Sequence, residues 1–393
     1  MGGFVSFQVK IRQPRWRQVN HRRAAAAIIS LCSLVGLMVS PVSAAIHSNS
    51  ASQKTKTCKT ANGIRITNAE ICKGIAFYAG KTMTFVDIGS IGGPFYDPGV
   101  ALQPLLKEYL GVTVNISPFP TGNSIPGQDY LARALPDGLT IGMLNPLNDI
   151  QDILTNVPGI NFNPARMAYL VQNGPNASPI IAGSGSGYTT FGQVVSASKA
   201  GTLKMLTQNT GTLNTIQRTW MGVLGLHPQY IAGYASLGAE VTGLIRGDGP
   251  MGLFDLSLAC GVIQQGKAVV LATSIVPPVN TNCRKYLTNV PTLKQTEKLY
   301  PPKTALQKTQ WNTLLSLFAV TGNPTVTQTS VAGFKVNTLR AAMKWAYAQP
   351  SYKSTMLGFS QNPSYHNPVQ AKQYYEQALK LGSHVVCFIK GTC

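Results

Sequence analysis

Apolar residues recur along this chain in two alternating rhythms. The short runs 83–86, 112–116, 139–144, 179–182, 202–206 and 268–272 have the length and make-up of buried strands. Between them, segments 100–110, 130–134, 191–198, 215–224 and 238–245 place apolar side chains three and four apart, which is one face of a helix. Segments 339–347 and 369–381 repeat that spacing. Strands alternating with helices predict an α/β fold with mostly parallel sheets. About 349 residues follow the first 44, too many for one core and enough for two lobes.

Two of the strand-to-helix connections are glycine-rich and polar. The first is Gly89-Ser90-Ile91-Gly92-Gly93-Pro94-Phe95-Tyr96-Asp97, between the run 83–86 and the helix 100–110. The second is Gln208-Asn209-Thr210-Gly211-Thr212-Leu213-Asn214, between 203–206 and the helix opening near Thr215. A helix start leaves backbone N–H groups unpaired, and its dipole favours negative charge, so such a loop holds a carboxylate without a cationic side chain. Glycine lets the backbone approach a ligand, and Thr and Asn supply capping oxygens. Two such loops facing each other predict a grip on both ends of a small polar acid. The bland alternative for each is a plain strand–helix turn or helix cap.

The first 44 residues read as a signal peptide. Lys10, Arg12, Arg15, Arg17, Arg22 and Arg23 precede the apolar run 24–38, and Val42-Ser43-Ala44 offers small residues for cleavage. The run is short for a membrane anchor. The flank of Arg22-Arg23 argues against twin-arginine export, and the position of Cys32 argues against a lipid anchor. No later segment approaches a membrane span. Six cysteines remain, an even number that reads as disulfides in an oxidising compartment. They fall into sequence-local pairs, which predicts Cys58–Cys72, Cys260–Cys283 and Cys387–Cys393. No C-x-x-C occurs and the five histidines are scattered, so no metal site is predicted.

Charge changes the picture further. The chain holds 33 Lys+Arg against 13 Asp+Glu; removing the six basic residues of the signal leaves 27 against 13, about +14. A basic surface attracts anions. No basic cluster longer than two residues follows the signal, which argues against nucleic acid. Charged residues total only 12%, which fits an acidic exterior as well.

Taken in order, the motifs resemble those of the substrate-binding proteins of tripartite tricarboxylate transporters, the periplasmic receptors for organic acids. Gly92-Gly93-Pro94 with Asp97 resembles the first-loop motif. Arg133-Ala134-Leu135-Pro136-Asp137-Gly138-Leu139-Thr140 resembles the Pro-Asp-Gly segment. Gln208 to Asn214 stands at the serine/glycine loop, Tyr234-Ala235-Ser236-Leu237-Gly238 at the Tyr-x-Gly segment, and Phe254-Asp255 at a following strand end. Gln265-Gly266-Lys267 through Ala272-Thr273 and Val290-Pro291-Thr292 complete the series. The resemblance covers roughly 81–380 and departs at Phe95-Tyr96, at the loop 121–127, and at Ser236 in place of glycine.

The resemblance implies a two-lobed periplasmic binding protein of type II, a Venus flytrap. Disulfide-bearing terminal extensions would be added to it. Expected bounds are a signal at 1–44, an extension at 45–80, lobe one at 81–178 and 276–393, and lobe two at 179–275. Crossings near 174–179 and 273–278 would form the hinge. Ser90, Gly92, Gly93, Pro94, Phe95, Asn209, Thr210, Gly211, Thr212, Asn214, Tyr234 and Asp255 would contact the ligand. Asp255 has helix capping as its bland role, and Tyr234 has hinge packing. Pro136-Asp137-Gly138 reads as a turn. The implied function is capture of a small di- or tricarboxylate-like acid by a monomer, for delivery to a membrane permease. No cofactor or nucleic acid is involved. The alternative is a secreted protein that reuses the scaffold for an enzymatic or surface role.

Enzymatic machinery is not evident in the sequence. The stretch 261–267 has phosphate-loop spacing, but Ala268 stands where Ser or Thr would bind magnesium. No G-x-S-x-G elbow occurs. His227, His366 and His384 lack nearby partners in sequence, and no carboxylate pair stands at acid/base spacing.

Overall fold

The computed structural model describes residues 57–392 apart from 90, 120–123, 158–159, 161, 209–211 and 235, and apart from the side chains of 212 and 213. The expected signal peptide lies outside these residues, as do Ser90, Asn209, Thr210, Gly211 and Cys393.

The chain enters through two short strands, β1 (Cys58–Lys59) and β2 (Arg65–Ile66), paired antiparallel and tied by the Cys58–Cys72 disulfide to helix α1 (Ala69–Tyr78). Asn68 caps α1 by accepting from the Ile71 N–H. Residues 58–80 pack on the rest of the chain. Ile75 and Tyr78 are buried, and the Tyr78 hydroxyl donates to the Gly138 carbonyl at 3.1 Å. The polar start of this segment hides a helix whose inner face completes the first core.

That core covers a five-stranded sheet. Strand β3 (Thr82–Asp87) leads to α2 (Asp97–Leu110), β4 (Thr113–Pro118), α3 (Ile125–Arg133), β5 (Thr140–Met143), α4 (Pro146–Thr155) and β6 (Ala168–Gln172). Gly111 ends α2 with φ 72°, a left-handed cap that favours glycine. Asp137 and Gly138 make the expected turn before β5: the Asp137 carboxylate accepts from Leu139 N–H at 2.8 Å, and Gly138 has φ +83°.

The chain then builds a second sheet region. Its elements are β7 (Pro179–Gly183), α5 (Phe191–Lys199), β8 (Lys204–Leu206), α6 (Thr212–Val223), β9 (Gln229–Ile231), α7 (Leu237–Arg246), β10 (Met251–Leu253), α8 (Leu256–Gln264) and β11 (Ala268–Thr273). Helices α9 (Leu293–Leu299) and α10 (Ala305–Ala319) carry it back to β12 (Pro324–Thr327). Helices α11 (Gly333–Ala348), α12 (Pro350–Gly358), α13 (Pro368–Gly382) and α14 (Val386–Lys390) close the chain.

The sheet orders are β4-β3-β5-β12-β6, β10-β7-β11 and β8-β9. Pairs β3–β4, β3–β5 and β8–β9 are parallel, whereas β12 runs antiparallel to both neighbours and β7 to both of its own. The sheets are mixed, not mostly parallel. A strand buried on both faces reads as the same apolar run in either direction.

Residues 276–292, expected in lobe one, pack instead with the second region. Cys283 and Leu287 are buried in one cluster with Ile181, Leu206 and Phe254. The Cys260–Cys283 disulfide, Cα–Cα 5.6 Å, holds them there. Cys387 is likewise disulfide-bonded. Among the described residues no helix is long and apolar enough to cross a membrane.

Candidate functional site

The first loop is shaped by its own backbone. Gly92 has φ +76°, and the Gly93 carbonyl accepts from the N–H groups of Tyr96 at 2.9 Å and Asp97 at 3.1 Å. This folds 93–97 into a turn that runs directly into α2. Gly93 is buried, Pro94 and Phe95 are half-buried, and Gly92 is exposed. Phe95 packs against the first core, and its ring would collide with any side chain at Gly89. The extra aromatic of this loop therefore turns inward. It braces Gly89.

A buried carboxylate stands at each end of the loop. Asp87, at the end of β3, accepts from Gly89 N–H at 2.9 Å. Burial pushes its pKa up to about 7 against the pull of that bond. Asp97, in the first turn of α2, accepts through Oδ2 from Gln361 Nε2 at 2.7 Å. Its pKa also rises to about 7, chiefly through burial, with the Gln361 bond opposing and the charges of Asp255 and Asp87 adding. Sequence reading noted Asp97 only as part of a motif and missed Asp87 and Gln361. The one available signal was that an acid ends a buried apolar strand.

At the second loop, Asn214 works as a staple. Its side-chain carbonyl accepts from Thr207 Oγ1 at 2.9 Å and from Arg218 Nε at 2.8 Å, joining the strand end to the first turn of α6. Gln217 reinforces the join: its Nε2 donates to the Leu206 carbonyl at 2.8 Å, and its Oε1 accepts from Leu253 N–H at 2.8 Å. Thr212 is the first residue of α6. Farther along, Trp220 is fully buried, edge-on to Phe318, and donates to Thr296 Oγ1 at 3.2 Å. Burying that indole contributes roughly 2–3 kcal/mol to holding α6, and hence the loop, in place.

Asp255 is the N-cap of α8, and its Oδ1 accepts from both the N–H and the hydroxyl of Ser257. It is 7% exposed, and burial raises its pKa against those bonds. Its backbone neighbours tie it to the crossing between the sheets, since Leu256 N–H donates to the Ala177 carbonyl at 3.0 Å. Tyr234 lies apart from this group. Its hydroxyl donates to Asp248 at 3.0 Å, Asp248 pairs with Arg246, and its ring covers Gly243 on α7. Geometry thus brings together Asp87, the first loop, Asp97 and Asp255, and it directs the Tyr234 hydroxyl to the α7 end.

Among the described residues no group of three or more His, Cys, Asp or Glu is arranged to hold a metal ion.

No protein-family model matches this sequence, and no curated protein matches it either. Solved structures match the fold. The periplasmic binding protein BugD superposes with a TM-score of 0.64 at 16% identity, over 80% of this chain and 99% of that one. MatC from Rhodopseudomonas palustris, with bound malate, superposes at 0.61 and 14% identity, over 78% and 99%. A second R. palustris protein, Rpa4515 with adipate, gives 0.61 and 14%, over 79% and 97%. The fold of this chain is that of two-lobed periplasmic binding proteins, and it resembles the receptors of tripartite tricarboxylate systems.

Proposed function

We propose that this chain is an extracytoplasmic solute-binding protein that captures a small organic acid of di- or tricarboxylate type between two lobes and delivers it to a membrane permease. The observation that carries this reading is the pair of strand–loop–helix units, β3 to α2 and β8 to α6. Both lie in a fold shared with malate- and adipate-bound proteins. A helix start favours negative charge through its dipole, and each unit leads into one. Ser90, Gly92, Gly93, Pro94 and Phe95 supply one wall and Asn209, Thr210, Gly211 and Thr212 the other. Asn214 braces the start of α6 and Asp255 caps α8, while Tyr234, the remaining candidate contact, is turned to the α7 end.

The hinge belongs where two segments run side by side. Gln172 Nε2 donates to the Ala319 carbonyl at 2.8 Å, and Asn176 N–H donates to Thr321 Oγ1 at 3.2 Å. We therefore put the crossings at 173–178 and 319–323. Lobe one then comprises 58–172 and 324–393, and lobe two 179–318. A ligand that bridges both loops binds the closed form more tightly and shifts the population toward it. The monomer works outside the cytoplasm, after removal of residues 1–44.

A thermal-shift screen against organic acids, amino acids and inorganic oxyanions tests the reading. A ligand at about 100 times its Kd adds roughly 2.7 kcal/mol of stability. A shift confined to one class of carboxylate is the expected result, accompanied by compaction in solution scattering. A flat response from a folded protein would overturn solute capture and favour a reused scaffold.

A further inference from the structure

Four strand ends of the second sheet region gather around a cavity of about 560 Å³. Strand β7 begins at Pro179, beside the crossing, and reaches the cavity at its other end, Gly183. Strands β8, β10 and β11 start there instead, with Lys204, Pro250 and Lys267 in the lining. The second loop follows the opposite end of β8, after Leu206. Strand β11 likewise runs back to the crossing, where Ser274 N–H donates to the Ser178 carbonyl at 3.0 Å. The cavity is therefore separate from the two loops.

Its walls are tied together through the backbone. Ser184 N–H donates to the Lys267 carbonyl and Gly183 N–H to the Pro250 carbonyl, both at 3.0 Å. Gly249 has no room for a side chain, since an added Cβ would lie 2.7 Å from Leu206. Lys267 ends the stretch with phosphate-loop spacing, but it follows helix α8 through Gly266, at φ +68°, and leads into a strand. That order makes no nucleotide loop. The same turn places Lys267 in the cavity wall.

Charge in this wall is one-sided. Lys204 and Lys267 are both exposed, and neither takes part in the three ion pairs among the described residues. Asp248 is the one acid of the lining, and it is already engaged by Arg246 and by the Tyr234 hydroxyl, at 3.0 Å from the latter. Ser184 and Ser186 add hydroxyls. The Ser186 oxygen accepts from Tyr188 N–H at 3.3 Å, which leaves its hydrogen for a ligand. Ile231 and Pro250 give an apolar side. A carboxylate would bring two oxygens and one charge to this wall. A phosphoryl group brings three oxygens and up to two charges, which matches two ammonium groups and two hydroxyls.

We propose that this cavity binds the phosphoryl group of a phosphomonoester. Lys204 and Lys267 hold its oxygens, Ser184 and Ser186 donate to it, and the organic body lies against Ile231 and Pro250. The site is additional to the organic-acid cleft and does not depend on what that cleft captures.

Calorimetry with phenyl phosphate tests it, with vesicles carrying phosphatidic acid as a second arm. Lys204→Ala and Lys267→Ala should each weaken binding about tenfold or more. Both side chains are exposed, so their removal spares the core. An added Cβ at Gly185 meets nothing within 4 Å, so Gly185→Asp fits the fold and should abolish binding by repulsion. None of the three variants should change the affinity for an organic acid found in the melting screen. Loss of the soluble ester assigns a free phosphate, and loss on vesicles alone assigns a lipid headgroup; either supports the site. Binding that survives all three variants would place the phosphate elsewhere and overturn the proposal, as would no binding in either arm at millimolar concentration. Phosphate binding beside a flat screen of organic acids would keep this site and remove solute capture.

Discussion

At the residue scale, Asp255 combines a cap with a charge, and the two roles separate by substitution. Asp255→Ala removes the acceptor for the Ser257 N–H and should cost about 1 kcal/mol of ligand-free stability, whereas Asp255→Asn keeps a capping oxygen and should cost a few tenths. Denaturant unfolding without ligand measures both. An equal loss in the two variants would assign the stabilisation to the negative charge beside the helix dipole instead of the hydrogen bond. Gly222 poses a packing question. An added Cβ there would fall inside the Phe388 ring, the contact through which α14 lies on α6. Gly222→Ala should therefore destabilise by about 1–3 kcal/mol, seen as a lower Tm. In a Phe388→Ala background the same substitution should cost much less, because the obstructing ring is gone. An undiminished cost there would locate the strain in the backbone of α6.

At the element scale, the disulfide between α8 and the 283–287 turn fixes which layer that turn joins. Cys260 and Cys283 are 23 residues apart. Replacing both with serine should cost about 3 kcal/mol by chain entropy. Equilibrium unfolding of the double variant checks this, and an unchanged midpoint would show that packing of Leu287 suffices alone. Pairing within 58–72 and 260–283 was legible because each pair is close in sequence; the layer that 276–292 joins was not. The apolar runs marked β3, β5, β7 and β11 correctly, since buried strands announce themselves by composition. They did not announce direction, and β7 runs antiparallel to both of its neighbours against expectation. The strand–helix junctions at β3–α2 and β8–α6 were legible from their glycine and capping residues. Gln361 and Asn176 were not, because each acts only through partners distant in the chain, Asp97 for one and Asn362 for the other.

At the scale of the whole molecule, the carboxylates are distributed against the usual pattern. Seven of the 13 are buried: Asp87, Asp97, Asp129, Asp149, Asp152, Glu240 and Asp255. Burial pushes Asp87 and Asp97 up to about 7, Asp152 to about 6 and Glu240 to about 8, and raises Asp149 and Asp255 as well. Each of these folded-state values lies above the unfolded one, near 4, so the native state holds protons that the unfolded chain has released. Their contribution is fully present below about pH 4 and is lost as pH rises through about 6 to 8. A rise from 3.8 to about 7 is worth up to roughly 4 kcal/mol per group, so several such groups outweigh the opposing effect of His366. Burial lowers the pKa of His366, so its contribution is lost as pH falls through that lowered value. Ordinary acid unfolding also has little to act on, because only three ion pairs occur among the described residues. The ligand-free protein should therefore melt at a higher temperature at pH 5 than at pH 8, in contrast to proteins whose carboxylates are paired at the surface. A Tm that climbs between those values would mean that the buried carboxylates are ionised and compensated in the folded state.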